Sequence, residues 1–288
     1  MNVNIVETDK LKNKNKIKLL ALGGLGADVI NKFNYDNTPG IDSLVLDTDI
    51  HTLKNVVLSD TLSVGLEYSG GLGLRGNTEL AARIIDDSMS SIINFVSDAG
   101  YVVVIVGLGG GFGTGAIQNV MNTLQNLDIF TTLIYTLPFS FEGSFKNDIS
   151  KETVSSFKND DIDVLIEIDS NLFVDHSYGR IDLKSAMKSV DNLILELIYN
   201  VCYIFNDNAN VDIQKLNEAL LKFPDIKFNL KSRYHVKKKI KTNSSLKIVK
   251  NLEDITYVNY DEIDLNDRSI PAVLRYRKWI NMNKSDEK

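Results

Sequence analysis

The chain has 288 residues, 43% of them hydrophobic, enough to bury a full core as one large domain or a domain with an appendage. Its formal charge of −6 and pI near 5.2 exclude a protein that coats nucleic acid generally, which needs clustered Lys and Arg. A single cysteine, Cys202, in the apolar stretch Leu193–Phe205, excludes an internal disulfide framework and reads as a buried thiol in a reducing compartment.

In chain order, the opening MNVNIVETDKLKNKNK lacks the apolar core of a signal peptide, so residues 1–16 read as a flexible N-terminus and a cytoplasmic location is expected. Apolar, β-branched runs follow at Ile17–Leu22, Ser43–Leu46, Tyr101–Val106, Phe130–Thr136 and Asp163–Ile168. Between them lie stretches of helical period at Ala27–Phe33, Thr78–Val96 and Ala116–Leu127. Strands alternating with helices predict an α/β fold with a parallel sheet covered on both faces, whose ligand sits at the carboxyl ends of the strands where strand order reverses. The uncharged stretch Ala99–Leu127 is broken by Gly, Thr, Asn and Gln, so it predicts a buried strand and not a membrane span.

Beyond the last run, a long amphipathic helix is predicted over Leu183–Phe205, then a break at NDNAN and a shorter helix over Ile213–Lys222. The alternation stops after Pro224. Residues 231–250 hold eight Lys/Arg and no acid, while 251–267 hold six Asp/Glu and no base, the pattern of a solvated linker or small appendage. His51, His176 and His235 are scattered without ligand spacing, so no metal-ligating set is predicted.

Two glycine clusters stand where strands give way to helices: ALGGLGADVINKF at 21–33 and GLGGGFGTGA at 107–116. Each offers free backbone N–H groups and a helix N-terminus beside a strand end, a ready anion site. Gly24-Leu25-Gly26 lacks the third small residue of a dinucleotide fingerprint, although Asp47 imitates its ribose-binding acid. A P-loop is excluded because no Gly-Lys-Ser/Thr occurs.

GLGGGFGTGA resembles the GGGTGTG signature of the tubulin/FtsZ superfamily, with one substitution between Gly109 and Gly115. The other motifs follow in the family's order: ALGGLGADVINKF, LVLDTDIHTL at 44–53, GLGLRGNTELAAR at 71–83, TLPFSFEG at 136–143 and SAMKSVDNLILE at 185–196. The resemblance covers about residues 15–222 and is closest to a divergent, shortened FtsZ. It implies a Rossmann-like tubulin/FtsZ nucleotide-binding domain over 17–182, a central helix, loop and short helix over 183–222, and a reduced C-terminal region or linker over 223–267.

The resemblance also implies GTP/GDP with Mg²⁺ as cofactors and assigns the contacts. Gly23, Gly24 and Gly26 pass under the phosphates, with Asp28 where the family has an Asn near the guanine. Gly73, Gly76 and Asn77 face the terminal phosphate, and Gly109, Gly110, Gly111, Gly113, Thr114 and Gly115 supply donors. Glu142 matches the ribose-contacting acid, Lys146 replaces a phosphate-side Arg, and Met187 replaces a stacking Phe. Asp191 matches the carboxylate that accepts from the guanine N1–H and amino group.

Several departures stand out. The family's catalytic loop, which enters the next subunit's pocket, reads N-x-D-x-x-D; here Asn210 and Asp212 are kept and the second acid is Lys215, so hydrolysis in trans is expected to be impaired. Phe112 replaces the signature's first Thr, putting a bulky ring where a hydroxyl stood near the phosphates. Arg75 replaces a Gly beside the terminal phosphate. The chain's end, RSIPAVLRYRKW at 268–279 within a final segment 268–288, resembles the FtsZ C-terminal peptide, with Ile270, Pro271, Val273, Leu274 and Arg275 as its adaptor-binding residues.

Together these imply an FtsZ-like protein acting in or on the bacterial division ring, cytoplasmic and at the division site. Its implied partners are itself or ordinary FtsZ, and membrane adaptors of the FtsA, SepF or ZipA type. The alternative is an active filament-forming GTPase for plasmid or phage DNA partition, with the basic stretch 231–250 engaging nucleic acid or a DNA-bound adaptor.

Overall fold

In a computed structural model of the protein, residues 16–38, 40–157, 162–175, 182–206, 219–221, 223 and 226–230 are described. The strands are β1 (Lys16–Leu22), β2 (Ile41–Asp47), β3 (Asp60–Ser63), β4 (Ala99–Gly107), β5 (Phe130–Leu137), β6 (Val164–Asp169) and β7 (Lys227–Leu230). They form one sheet in the order β3-β2-β1-β4-β5-β6-β7. The first six are parallel, and β7 closes the edge antiparallel to β6, with Val164 opposite Leu230.

Successive side chains of a strand face opposite ways, and here both faces are covered. Leu19 and Ala21, Val103 and Ile105, Ile166 and Ile168 join one core with helices α1 (Gly23–Ile30) and α9 (Leu183–Asn206). Leu20 and Leu22, Val102, Val104 and Val106, Leu133 and Tyr135 join the other, with α4 (Thr78–Asp87), α5 (Met89–Val96) and α6 (Phe112–Asn126). On α9, Leu193, Ile194, Leu197, Ile198, Val201 and Cys202 recur at helical spacing and form its buried stripe. Burial pushes the Cys202 thiol up to about 12, the state of an inert core thiol.

The remaining helices are short or lie at the rim: α2 (Ile50–Lys54), α3 (Leu66–Ser69), α7 (Ser144–Ser156) and α8 (Leu172–Asp175). β7 is tied to the sheet by Glu167 of β6, which accepts from the Tyr135 hydroxyl at 2.6 Å and from Lys227 Nζ at 2.8 Å. Burial and the neighbouring Glu167 hold the Tyr135 phenol well above its ordinary range. Among the described residues, no helix is long and apolar enough to cross a membrane.

The predicted helix over Thr78–Val96 is two helices that part at Ser88, whose φ of −96° and ψ of −1° close α4. Asp86, Asp87 and Ser88 are residue types of low helix propensity, and Ile84, Ile85, Ile92 and Val96 are buried on both sides of the break. Helices α1 and α6 begin at the glycine loops, at Gly23 and Phe112, earlier than the apolar period indicates.

Candidate nucleotide site

β1 and β4 are neighbours, yet the chain leaves β1 toward β2 on one side and leaves β4 toward β5 on the other. Such a reversal opens a crevice at the carboxyl ends of the two strands. Both glycine loops issue into it. Gly23 has φ +77°, and a Cβ there would stand 3.8 Å from the Gly113 nitrogen, so the loops face each other. At Gly24 and Gly110 a Cβ would meet nothing within 4 Å, leaving bare backbone open to an approaching group. The first N–H groups of α1 and α6 lack intrahelical partners and converge here, where an anion is favoured.

The other glycines serve packing. A Cβ at Gly26 would lie 2.9 Å from Ala21 Cβ, at Gly111 2.8 Å from the Gly76 nitrogen, and at Gly113 2.7 Å from Val106 Cγ2. At Gly115 it would lie 2.1 Å from the Thr78 carbonyl oxygen, where α4 and α6 come closest. Thr114 is buried and its Oγ1 accepts from the Gly109 N–H at 2.9 Å, which closes the loop on itself. Phe112 is 4% exposed and shares the core beneath the cradle with Leu22, Leu74 and Leu108. Its ring is therefore in the core, so the bulky group that replaces the signature's first Thr is buried and not exposed on the glycine loop.

The rim is built by three further segments. Asp47, at the end of β2, is buried, and its Oδ1 accepts from the N–H groups of Thr48 at 2.7 Å and Asp49 at 3.2 Å. Desolvation nevertheless raises its pKa. Its carboxylate shapes the turn that carries Thr48 and Asp49 toward Gly73, and the Ile50 N–H donates to the Gly71 carbonyl at 3.1 Å. Gly71, Gly73 and Gly76 all have positive φ, and Asn77 caps α4 by accepting from the Leu80 N–H at 3.0 Å. Glu142 accepts from the Phe139 N–H at 2.9 Å and from Lys146 Nζ at 2.8 Å, and Lys146 Cβ lies 3.2 Å from where a Cβ on Gly109 would be.

Arg75 is exposed at φ +47°, a region that favours glycine. Arg75→Gly is expected to stabilise the protein by about 1 kcal/mol, read as a shift of the denaturant midpoint. An unchanged or lowered midpoint would show that the arginine side chain makes contacts worth the strain.

The far end of the crevice lies between α1 and α9. Gly24 and Asp28 lie one turn apart on the exposed side of α1, and Lys32 follows four residues later in the turn after the helix ends. The rise from Gly24 to Asp28 is about 6 Å. Across from them, Asp191 is 7% exposed and forms an ion pair with Lys32, while Met187, one turn earlier on α9, is half exposed. Desolvation, and then the Asp191 charge, hold the Asp28 carboxyl above its ordinary range, with Lys32 opposing. Lys32 escaped the sequence reading, although its place four residues after Asp28 is the signal that sets both on one side. Asp212 and Lys215, the basic stretch 231–250 and the peptide carrying Ile270, Pro271, Val273, Leu274 and Arg275 lie outside the described residues.

Comparison with known proteins gives this crevice a context. The tubulin/FtsZ family, GTPase domain, matches residues 16–176, more than half of the chain. The cell division protein FtsZ of Aquifex aeolicus (strain VF5) is 27% identical over 214 residues, covering 74% of this chain and 58% of that protein. An empty FtsZ dimer from M. jannaschii superposes with a TM-score of 0.61 at 23% identity, over 67% of this chain and 56% of that one. The GTPγS-bound protofilament of CetZ2 from Haloferax volcanii superposes at 0.59 with 18% identity, over 70% and 62%. The chain thus spans less than two thirds of each of these relatives. With the GTPase domain matched along most of the parallel sheet and both glycine loops, the chain belongs to the tubulin/FtsZ family.

Proposed function

We propose that the chain binds GTP or GDP in the crevice between β1 and β4 and acts in or on the bacterial cell-division ring. The observation that carries the reading is the meeting of two glycine loops at the strand-order reversal, open at Gly24 and Gly110, with Gly24 one helical turn from Asp28, whose carboxyl lies within electrostatic range of the nearly buried Asp191.

Backbone N–H groups of Gly24, Gly110 and the first turn of α6 hold the phosphates, and Gly73, Gly76 and Asn77 border the terminal one. Glu142 reaches the ribose, Lys146 adds positive charge on the phosphate side, and Met187 lies against the base. Asp191 accepts from the guanine N1–H and amino group, a pair of donors that adenine lacks at those positions. Among the described residues, no three His, Cys, Asp or Glu are grouped as a metal site. A magnesium ion held by nucleotide phosphates, water and one carboxylate needs no such group, and Asp49 beside Gly73 is the acid at hand. Bound beside Asp49, such an ion would supply charge neutralisation for the phosphates.

Hydrolysis by the chain alone is slow in this reading, since Lys215 takes the place of an acid that would polarise water. Its partners are further copies or ordinary FtsZ, with adaptors at 268–279; the division-protein name of the Aquifex relative and the protofilament of CetZ2 support this direction.

Calorimetric titration of the full chain with GDP, GTP, ATP and NAD is the test. GDP and GTP are expected to bind and ATP and NAD not to, with Asp191→Ala weakening GDP tenfold or more, about 1.4 kcal/mol. NAD binding without preference for GDP would overturn the reading. GTP turnover over a protein concentration series, with light scattering, is expected to stay low and to rise in Lys215→Asp. Steep turnover with scattering, joined to salt-dependent DNA binding, would favour the partition filament instead.

A further inference from the structure

Asp191 and Lys32 form a mixed-charge pair at the end of the crevice, one group nearly buried and the other on its rim. The Asp191 side chain is 10% exposed and that of Lys32 43%, and the ion pair engages one carboxylate oxygen, Oδ2. Lys32 stands two residues past the end of α1, and its backbone N–H donates to the Val29 carbonyl at 3.0 Å, which fixes the place from which its side chain reaches Asp191. The position that resembles the family's Asn is Asp28, and a carboxylate cannot donate a hydrogen bond while ionised. Lys32, four residues on and on the same face, brings a donor to that place.

The edge of guanine presents an acceptor, O6, beside two donors, N1–H and the exocyclic amine; adenine presents a donor first and an acceptor next to it. A cation and a carboxylate standing side by side match the first pattern and oppose the second at both positions. We propose that Lys32 is a specificity-determining residue that donates to guanine O6 while Asp191 accepts from N1–H and the amine. This rests on the nucleotide lying in the crevice as set out above. Lys32 lies within electrostatic range of Asp28 as well as Asp191, so a second carboxyl group stands beside the ammonium when Asp191 turns its second oxygen to the base.

The test uses the full chain and two probes, GDP and 6-thioguanosine diphosphate, in which sulfur replaces O6 and accepts hydrogen bonds only weakly. The unaltered protein is expected to bind GDP about tenfold more tightly than the thio analogue. Lys32→Met is expected to lose about tenfold in GDP affinity and to bind the two alike, whereas Lys32→Arg keeps the preference. A Lys32→Met protein that binds GDP as well as before, or better, would overturn the proposal, because the lysine then only competes with the base for Asp191. Equal binding of both probes by the unaltered protein would overturn it without any variant, which covers a variant that fails to fold. Failure of the unaltered protein to bind GDP at all would instead remove the nucleotide reading and this proposal with it.

Discussion

Gly115→Ala is expected to lose about 3 kcal/mol of unfolding free energy, a large share of the roughly 5–15 kcal/mol that holds a domain folded. The added methyl would sit 2.1 Å from the Thr78 carbonyl oxygen, 2.7 Å from Ala81 Cβ and 2.8 Å from the Thr78 carbonyl carbon. Two of those three atoms are backbone, so no rotamer change relieves the clash; α4 must move off α6, and both helices anchor the core built on Val102, Val104 and Val106. Gly110→Ala is the control, since its Cβ meets nothing within 4 Å. It should unfold at the denaturant midpoint of the parent protein and yet bind GDP tenfold or more weakly, because the methyl projects where a phosphate approaches. If Gly115→Ala melts like the parent, α4 and α6 are not locked as described.

The second large effect is expected at Phe112. Phe112→Ala should cost about 3 to 4 kcal/mol, the ordinary loss for emptying a buried aromatic site. Phe112→Thr, which restores the family signature, should lose nearly as much, and Phe112→Leu should recover most of it. Urea unfolding of the three variants measures this. A loss below about 1 kcal/mol for Phe112→Ala would show that the ring does not fill the core in solution. The loop's chemistry and the loop's side chain are thus separate matters: the helix N-terminus opens on the crevice, and the phenylalanine is buried in the core that also holds Leu22 and Leu74.

The strands were readable because a strand covered on both faces needs an unbroken apolar run, and Tyr101–Val106 and Phe130–Thr136 are such runs. β3 was not readable: Asp60–Ser63 is an exposed edge strand, Asp-Thr-Leu-Ser, with no apolar run to mark it. The ordered motifs made the crevice legible, and they named Gly24, Gly110 and Asp191 together. They could not say which glycines leave room for a ligand and which leave room for another helix. That distinction needs the neighbouring backbone, as Thr78 shows for Gly115 and Gly76 for Gly111. Lys32 was missed for a similar reason, since its partner is 159 residues away along the chain.

The two ends of the strand order bear on how copies could gather. β3 and β7 are each only four residues long, and β3 carries Asp60 on its open flank. Short, polar borders offer few unpaired backbone groups to a strand from another molecule. Growth by lateral stitching of one sheet onto another is thereby discouraged at both described edges.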